Sequence, residues 1–140
     1  MAHDSTTQLV LQTIDAYERS AKECVARWGK RRHRRKPLLA EWLQCLPPDA
    51  RLLDLGCGGG KDAGDLGQRG YRVVGLDRTS ALLSAGRRRY RSLPLVRADL
   101  RYLPFQAMSF DGLWAAASLM HLPKPDARRI LTDLCRLVRP

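Results

Sequence analysis

Apolar side chains recur at Val10, Ile14, Tyr17, Ala21, Cys24 and Trp28 in steps of four and three, which predicts one face of an amphipathic helix. Asp4 or Ser5 suits its N-cap and Gly29 its stop. Pro37 suits the start of a second, shorter helix carrying Leu38, Leu39, Trp42, Leu43 and Leu46, which Pro47-Pro48-Asp49 ends. The pattern then changes period. Leu52 to Leu55 is a short apolar run of the kind that forms a buried strand, and Tyr71 to Leu76 is β-rich. Leu95 to Ala98 and Phe110 to Ala115 predict a third and a fourth strand. Between them, helices are predicted over 62–69, with Gly70 as C-cap, and from a Thr79 or Ser80 cap to about Arg91. A last helix, about Asp126 to Leu137, follows Pro123 and Pro125 and carries Ile130, Leu131, Leu134 and Val138 as its stripe. Two helices followed by β-α-β-α-β-loop-β-α imply a parallel sheet with right-handed crossovers.

Composition narrows the class without naming a function. A chain of 140 residues at 44% hydrophobic content can bury a core of its own. No apolar run approaches the ~20 residues of a membrane helix, and Met1 to Ser5 lacks a signal-peptide layout. Cys24, Cys45, Cys57 and Cys135 are scattered with no C-x-x-C pair, so neither a metal site nor a disulfide framework is expected and a reducing, cytoplasmic setting is. The formal net charge is +11, and Lys30 to Lys36 holds six of the 25 lysines and arginines. That run suits an acidic partner such as RNA, but no aromatic residue lies within it to stack a base, so a solvated connector is the favoured reading.

The chemistry concentrates in Leu53-Asp54-Leu55-Gly56-Cys57-Gly58-Gly59-Gly60-Lys61. A strand ends in an acid, turns through glycines and enters a helix whose free N–H groups face the turn. This is a strand–loop–helix nucleotide site. A dinucleotide fingerprint needs a third glycine where Lys61 stands, so a nicotinamide-dependent dehydrogenase is disfavoured. Asp54, Asp77 and Asp99 each fall at or just past a predicted strand end, and in a parallel sheet those ends share one edge. Asp77, 21 residues after Gly56, suits a grip on ribose hydroxyls, and Asp99 can accept from an adenine amino group. Three carboxylates disfavour a ligand rich in phosphate and favour a cationic, adenosine-bearing one.

In these residues the chain resembles the class I S-adenosylmethionine-dependent methyltransferases, in particular small bacterial ones. Leu53 to Gly60 matches their glycine motif, Val74 to Asp77 the ribose motif, and Ala98 to Phe105 the adenine-side motif. Tyr17 to Ala21 resembles the tyrosine-bearing N-terminal helix, and Ser109 to Leu113, Leu119 to Pro123 and Leu134 to Pro140 resemble later signatures. The resemblance implies an α/β fold with a Rossmann-like parallel sheet of strand order 3-2-1-4 and helices on both faces. It also implies an N-terminal helical cap with its basic connector over residues 1–47 and a cofactor-binding core over 48–140. It implies that S-adenosylmethionine is bound by Tyr17, Asp54, Gly56, Cys57, Gly58, Gly60, Asp77, Arg78, Asp99, Leu100 and Ala115, with S-adenosylhomocysteine as product. Asp54 faces the ammonium, Asp77 the ribose diol and Asp99 adenine, while Tyr17 closes over the methionine end. His121 is the candidate base; its alternative is a structural role.

Ala115-Ala116-Ala117-Ser118 lacks the tetrad with which resembling nucleic-acid amino-methylases grip a planar amine, so a small-molecule acceptor is expected over adenine or cytosine amino groups. The family's helix often carries a second aromatic seven residues after the first, where this chain has Cys24, so a looser cover is expected. The chain ends after the helix that follows strand four, before the family's last three strands. The expectation is therefore an incomplete core, weak turnover alone and self-association at the strand-four edge. A methyltransferase acting on RNA and a non-catalytic cofactor-binding or interaction module stand as the alternatives.

Overall fold

A computed structural model describes residues 2–30 and 36–140, with side chains from Thr7 to Lys30 and from Pro37 onward. The basic run lies outside the described residues except for its two ends. The elements run α1 (Ala2–Lys30), α2 (Lys36–Gln44), β1 (Arg51–Leu55), α3 (Lys61–Gln68), β2 (Arg72–Asp77), α4 (Ser80–Arg89), β3 (Leu95–Arg97), β4 (Gly112–Trp114) and α5 (Lys124–Leu137), with a single 3-10 turn over Leu119–His121. The sheet is parallel throughout and ordered β3-β2-β1-β4, as expected.

Alternation along β1 divides the interior. Leu52 packs with Leu39, Ala63, Leu66, Val73 and Trp114, the side covered by α2 and α3. Leu53 and Leu55 point the other way, into Leu76, Phe110, Ile130, Leu134 and Leu137, the side covered by α5. A residue-by-residue alternation of this kind places Asp54 on the same side as Leu52. A third, smaller cluster joins α1 to α4 through Ala21, Cys24 and Leu82. No helix among the described residues is long and apolar enough to cross a membrane.

Several boundaries differ from expectation for identifiable reasons. α1 runs past Gly29 to Lys30, because a lone glycine weakens a helix without forcing its end. α4 stops at Arg89, two residues before the expected Arg91, with Tyr90 in a non-helical conformation. Pro125 lies inside the first turn of α5, where a missing N–H costs nothing, rather than ahead of it. β4 is shorter than the expected 110–115. Phe110 pairs instead with Val138 through an isolated parallel bridge, with Phe110 N–H donating to Leu137 O at 3.0 Å and Arg139 N–H to Phe110 O at 2.9 Å. The segment after α5 thereby covers the start of the β4 edge. Asp111 ties that edge to β1: its Oδ2 accepts from Arg51 N–H at 2.6 Å, and its Oδ1 from Arg139 at 2.9 Å.

Candidate functional site

The loop from Gly56 to Gly60 turns by using left-handed backbone. Gly56 has φ 69° and Gly58 φ 55°, a region that penalises any side chain. A Cβ at Gly56 would sit 2.2 Å from the Ser118 Cβ, and one at Gly58 3.0 Å from the Trp28 ring. Gly56 has no room for alanine, and at Gly58 the Trp28 ring would have to give way. The loop is pinned on β2 by Cys57 N–H donating to Leu76 O at 2.9 Å. Burial pushes the Cys57 thiol well above its ordinary range, and the Asp54 and Asp77 charges push it further, so Cys57 is an inert neutral thiol here.

The three acids share the expected edge but have different partners. Asp54, 3% exposed, accepts from Ala63 N–H at 3.1 Å and so caps the first turn of α3. Asp77 reaches across the crevice mouth. Its Oδ2 accepts from Gly58 N–H and its Oδ1 from Thr79 N–H, both at 2.8 Å. Each oxygen retains a further lone pair. Asp99 is more fully engaged. Arg101 donates to it from the backbone at 2.9 Å and from Nη2 at 2.8 Å, and Arg78 Nη1 donates at 2.7 Å. Burial pushes the Asp99 carboxyl up, but the Arg101 hydrogen bonds and the two guanidinium charges outweigh it and hold it below the usual carboxylate range. Arg78 and Asp99, two of the predicted positions, thus form an ion pair, with Arg101, which lies in the adenine-side motif but was given no role, as a third member.

α1 lies over this edge. Tyr17 Oη is 3.2 Å from His121 Nε2, with the rings edge-to-face at 5.6 Å, and its other side meets Trp28 at 5.9 Å. Burial, helped by nearby Cys24 and Asp77, raises the Tyr17 phenol above its ordinary range. The second aromatic of the cover is therefore present, one helical turn beyond Cys24: Trp28 shuts down on Gly58 and Val25 on Gly59. This corrects the expectation of a looser cover. What fixes α1 in place is Glu18. Its carboxylate accepts from Ser80 N–H at 2.6 Å and Ala81 N–H at 2.8 Å, capping α4, whose own N-cap residue Thr79 makes no side-chain bond. Glu18 stands beside Tyr17 in the sequence, but its partners are 62 and 63 residues away, so no local pattern marks it.

Of the remaining predicted positions, Ala115 is exposed just past the end of β4 and Leu100 packs against the Leu53 side of the core. His121 is exposed on the 3-10 turn, with its ring against Tyr17 and its backbone N–H donating to Ser118 O at 3.2 Å. Ser118, which opens that turn, was not singled out on its own. It is 6% exposed, it abuts Gly56, and its Oγ has no hydrogen-bond partner among the described residues. A buried hydroxyl without a partner is costly, which makes its position beside a glycine turn informative.

Comparison with known proteins agrees with this arrangement. The family described as "Methyltransferase domain" matches residues 52–140. The methyltransferase GfsG of Streptomyces halstedii is 35% identical over 97 residues, covering 64% of this chain and 34% of that protein. Trans-aconitate 2-methyltransferase of Deinococcus radiodurans is 38% identical over 104 residues, covering 70% and 38% respectively. Among solved structures, an S-adenosylmethionine-dependent methyltransferase from Methanosarcina mazei superposes with a TM-score of 0.66 at 29% identity, over 74% of this chain and 53% of that one. The chain spans well under half the length of the curated relatives it matches.

Proposed function

The chain belongs to the S-adenosylmethionine-dependent methyltransferase family, whose cofactor is S-adenosylmethionine, and from that premise we propose that it transfers the cofactor's methyl group to a small-molecule acceptor. The observation that carries the reading is Asp77: a carboxylate held at the crevice mouth by Gly58 N–H and Thr79 N–H, with a lone pair left on each oxygen for a ribose diol. Backbone at Gly56, Gly58 and Gly60 takes the methionine part, with Cys57 filling the space behind the loop and the buried Asp54 setting a negative field for its ammonium. In this reading Leu100 and the Asp99–Arg78–Arg101 cluster take the adenine side, Tyr17 the methionine end, and the Ala115 backbone the amino group.

When bound, the cofactor supplies an electrophilic methyl on a sulfonium, whose departure as a neutral thioether needs no acid. The protein's task is then to align the acceptor with that methyl and, where the acceptor carries a proton, to receive it. We assign that role to His121, and its contact with Tyr17 supports the assignment.

Isothermal titration with S-adenosylmethionine, S-adenosylhomocysteine and NAD tests the reading. Binding of the first two and not the third is expected. Asp77→Asn, which keeps an acceptor for the loop but removes the charge, should weaken S-adenosylhomocysteine by roughly ten-fold or more. Heat from NAD alone, or an Asp77→Asn variant that binds like the parent, overturns it.

A further inference from the structure

Beside the Tyr17–His121 pair lies a groove of about 520 Å³ between the N-terminal half of α1 and the 3-10 turn. Its size is that of a small-molecule site. Leu9, Met120, Leu122 and Pro123 form its apolar walls, and Leu9 and Met120 are 64% and 75% exposed, unusual for large apolar side chains in so polar a surface. Gln8 and Gln12, one turn apart on α1, add neutral donors and acceptors. Among the described residues no lysine, arginine, aspartate or glutamate lines it, although the chain carries 25 basic and 14 acidic residues. In a protein of net charge +11, a groove whose described lining holds only His121 as an ionisable group offers an anionic acceptor little. A carboxylate or phosphate placed there would lose its hydration and meet no permanently charged partner among the described residues.

We infer that this groove holds the methyl acceptor, and that the acceptor is an uncharged compound with an apolar body and a hydroxyl turned toward Tyr17 and His121. The inference rests on the methyltransferase reading and gives that site its substrate class. In the reaction the hydroxyl oxygen attacks the sulfonium methyl. A C–O bond forms, the C–S bond breaks, and its electron pair stays on sulfur as the neutral thioether. The hydroxyl proton passes to the Tyr17 oxygen as the Tyr17 proton moves to His121 Nε2, across the contact of 3.2 Å. The imidazolium so formed sits at an exposed position, where it gives the proton to water.

The experiment uses the whole chain with ¹³C-methyl methionine and two matched probes, 1-naphthol and 1-naphthoate, each titrated after saturation with S-adenosylhomocysteine. The Met120 methyl should shift with 1-naphthol while Met108, exposed before β4 and outside the groove, stays put. The naphthoate should bind about ten-fold or more weakly, as an unpaired charge in an apolar groove requires. Leu9→Glu should abolish the Met120 shift and leave S-adenosylhomocysteine affinity at the parent value. If S-adenosylhomocysteine itself fails to bind, the methyltransferase reading has failed. If it binds but Met120 does not respond to 1-naphthol, or the naphthoate binds as well as the naphthol, the acceptor assignment is overturned and the cofactor reading stands.

Discussion

The glycine loop and the groove under α1 are neighbours built by opposite means. The loop is made of backbone. Its shape comes from left-handed glycines, its ties are N–H and C=O groups and carboxylates that accept from them, and Ser118, Trp28 and Val25 press directly on it. The groove is made of side chains on two surfaces that meet at Tyr17 and His121, and two of its apolar walls, Leu9 and Met120, are exposed. A ligand site of the first kind resists change because every atom of it also holds the fold. One of the second kind is free to change, because little but the ligand depends on it.

The sharpest way to break this contrast is Gly56→Ala. The added methyl overlaps Ser118, an overpacking that costs roughly 1–3 kcal/mol, and the left-handed backbone adds about 1–2 kcal/mol. Denaturant unfolding should show most of that loss, and S-adenosylhomocysteine binding should fall with it. A variant as stable as the parent would mean that the loop has slack the structure does not show. Next comes Glu18→Ala, which removes the cap of α4 and should cost about 1 kcal/mol, within the ~0.5–2 kcal/mol range of such losses. Glu18→Gln, which keeps one acceptor oxygen, should lose less; thermal melts of the two variants compare them.

Acid titration probes the same region. The folded Asp99 carboxyl lies below its ordinary value of 3.8 because Arg101 and Arg78 outweigh the opposing effect of burial. A depressed folded value means that its contribution is complete above the ordinary value and is lost as pH falls through the folded one. Asp111 behaves in the same sense: its hydrogen bond from Arg51 N–H is the leading cause, with Arg139 assisting. Unfolding midpoints followed from pH 6 downward should therefore decline at the acid end, and Asp99→Asn should shrink that decline while starting from a less stable plateau. The smallest effect belongs to the groove: Leu9→Gln, at an exposed site, should change stability by less than about 0.5 kcal/mol.

The same division explains what could be read from the sequence. A parallel strand that must turn at once into a helix leaves few choices of residue, so Leu53 to Gly60, Asp77 and Asp99 announced their places by type and spacing. The strand order came with the family resemblance that those residues carry. Glu18 and Ser118 meet partners that only the folded chain brings near, and their own neighbours in sequence carry no trace of the contact, whereas Arg101 bonds to Asp99 two residues before it. Trp28 was legible as a helix-face residue and illegible as the roof over Gly58. That role depends on the direction in which α1 crosses the loop, which periodicity does not encode. The groove was invisible for a stronger reason: Gln8, Leu9, Gln12 and Met120 are ordinary residues, and only their juxtaposition makes a surface.

Glu18 has one more consequence, and it concerns time. The amides of Ser80 and Ala81 are held by a carboxylate from α1, not by a residue of their own helix. Whenever α1 lifts from α4 they meet water, whatever the rest of α4 does. Their hydrogen-exchange rates thus count the departures of α1, separately from the unfolding of the sheet, which the amides of β1 report. If α1 must move for cofactor to enter, those two protons set the clock by which the entrance opens.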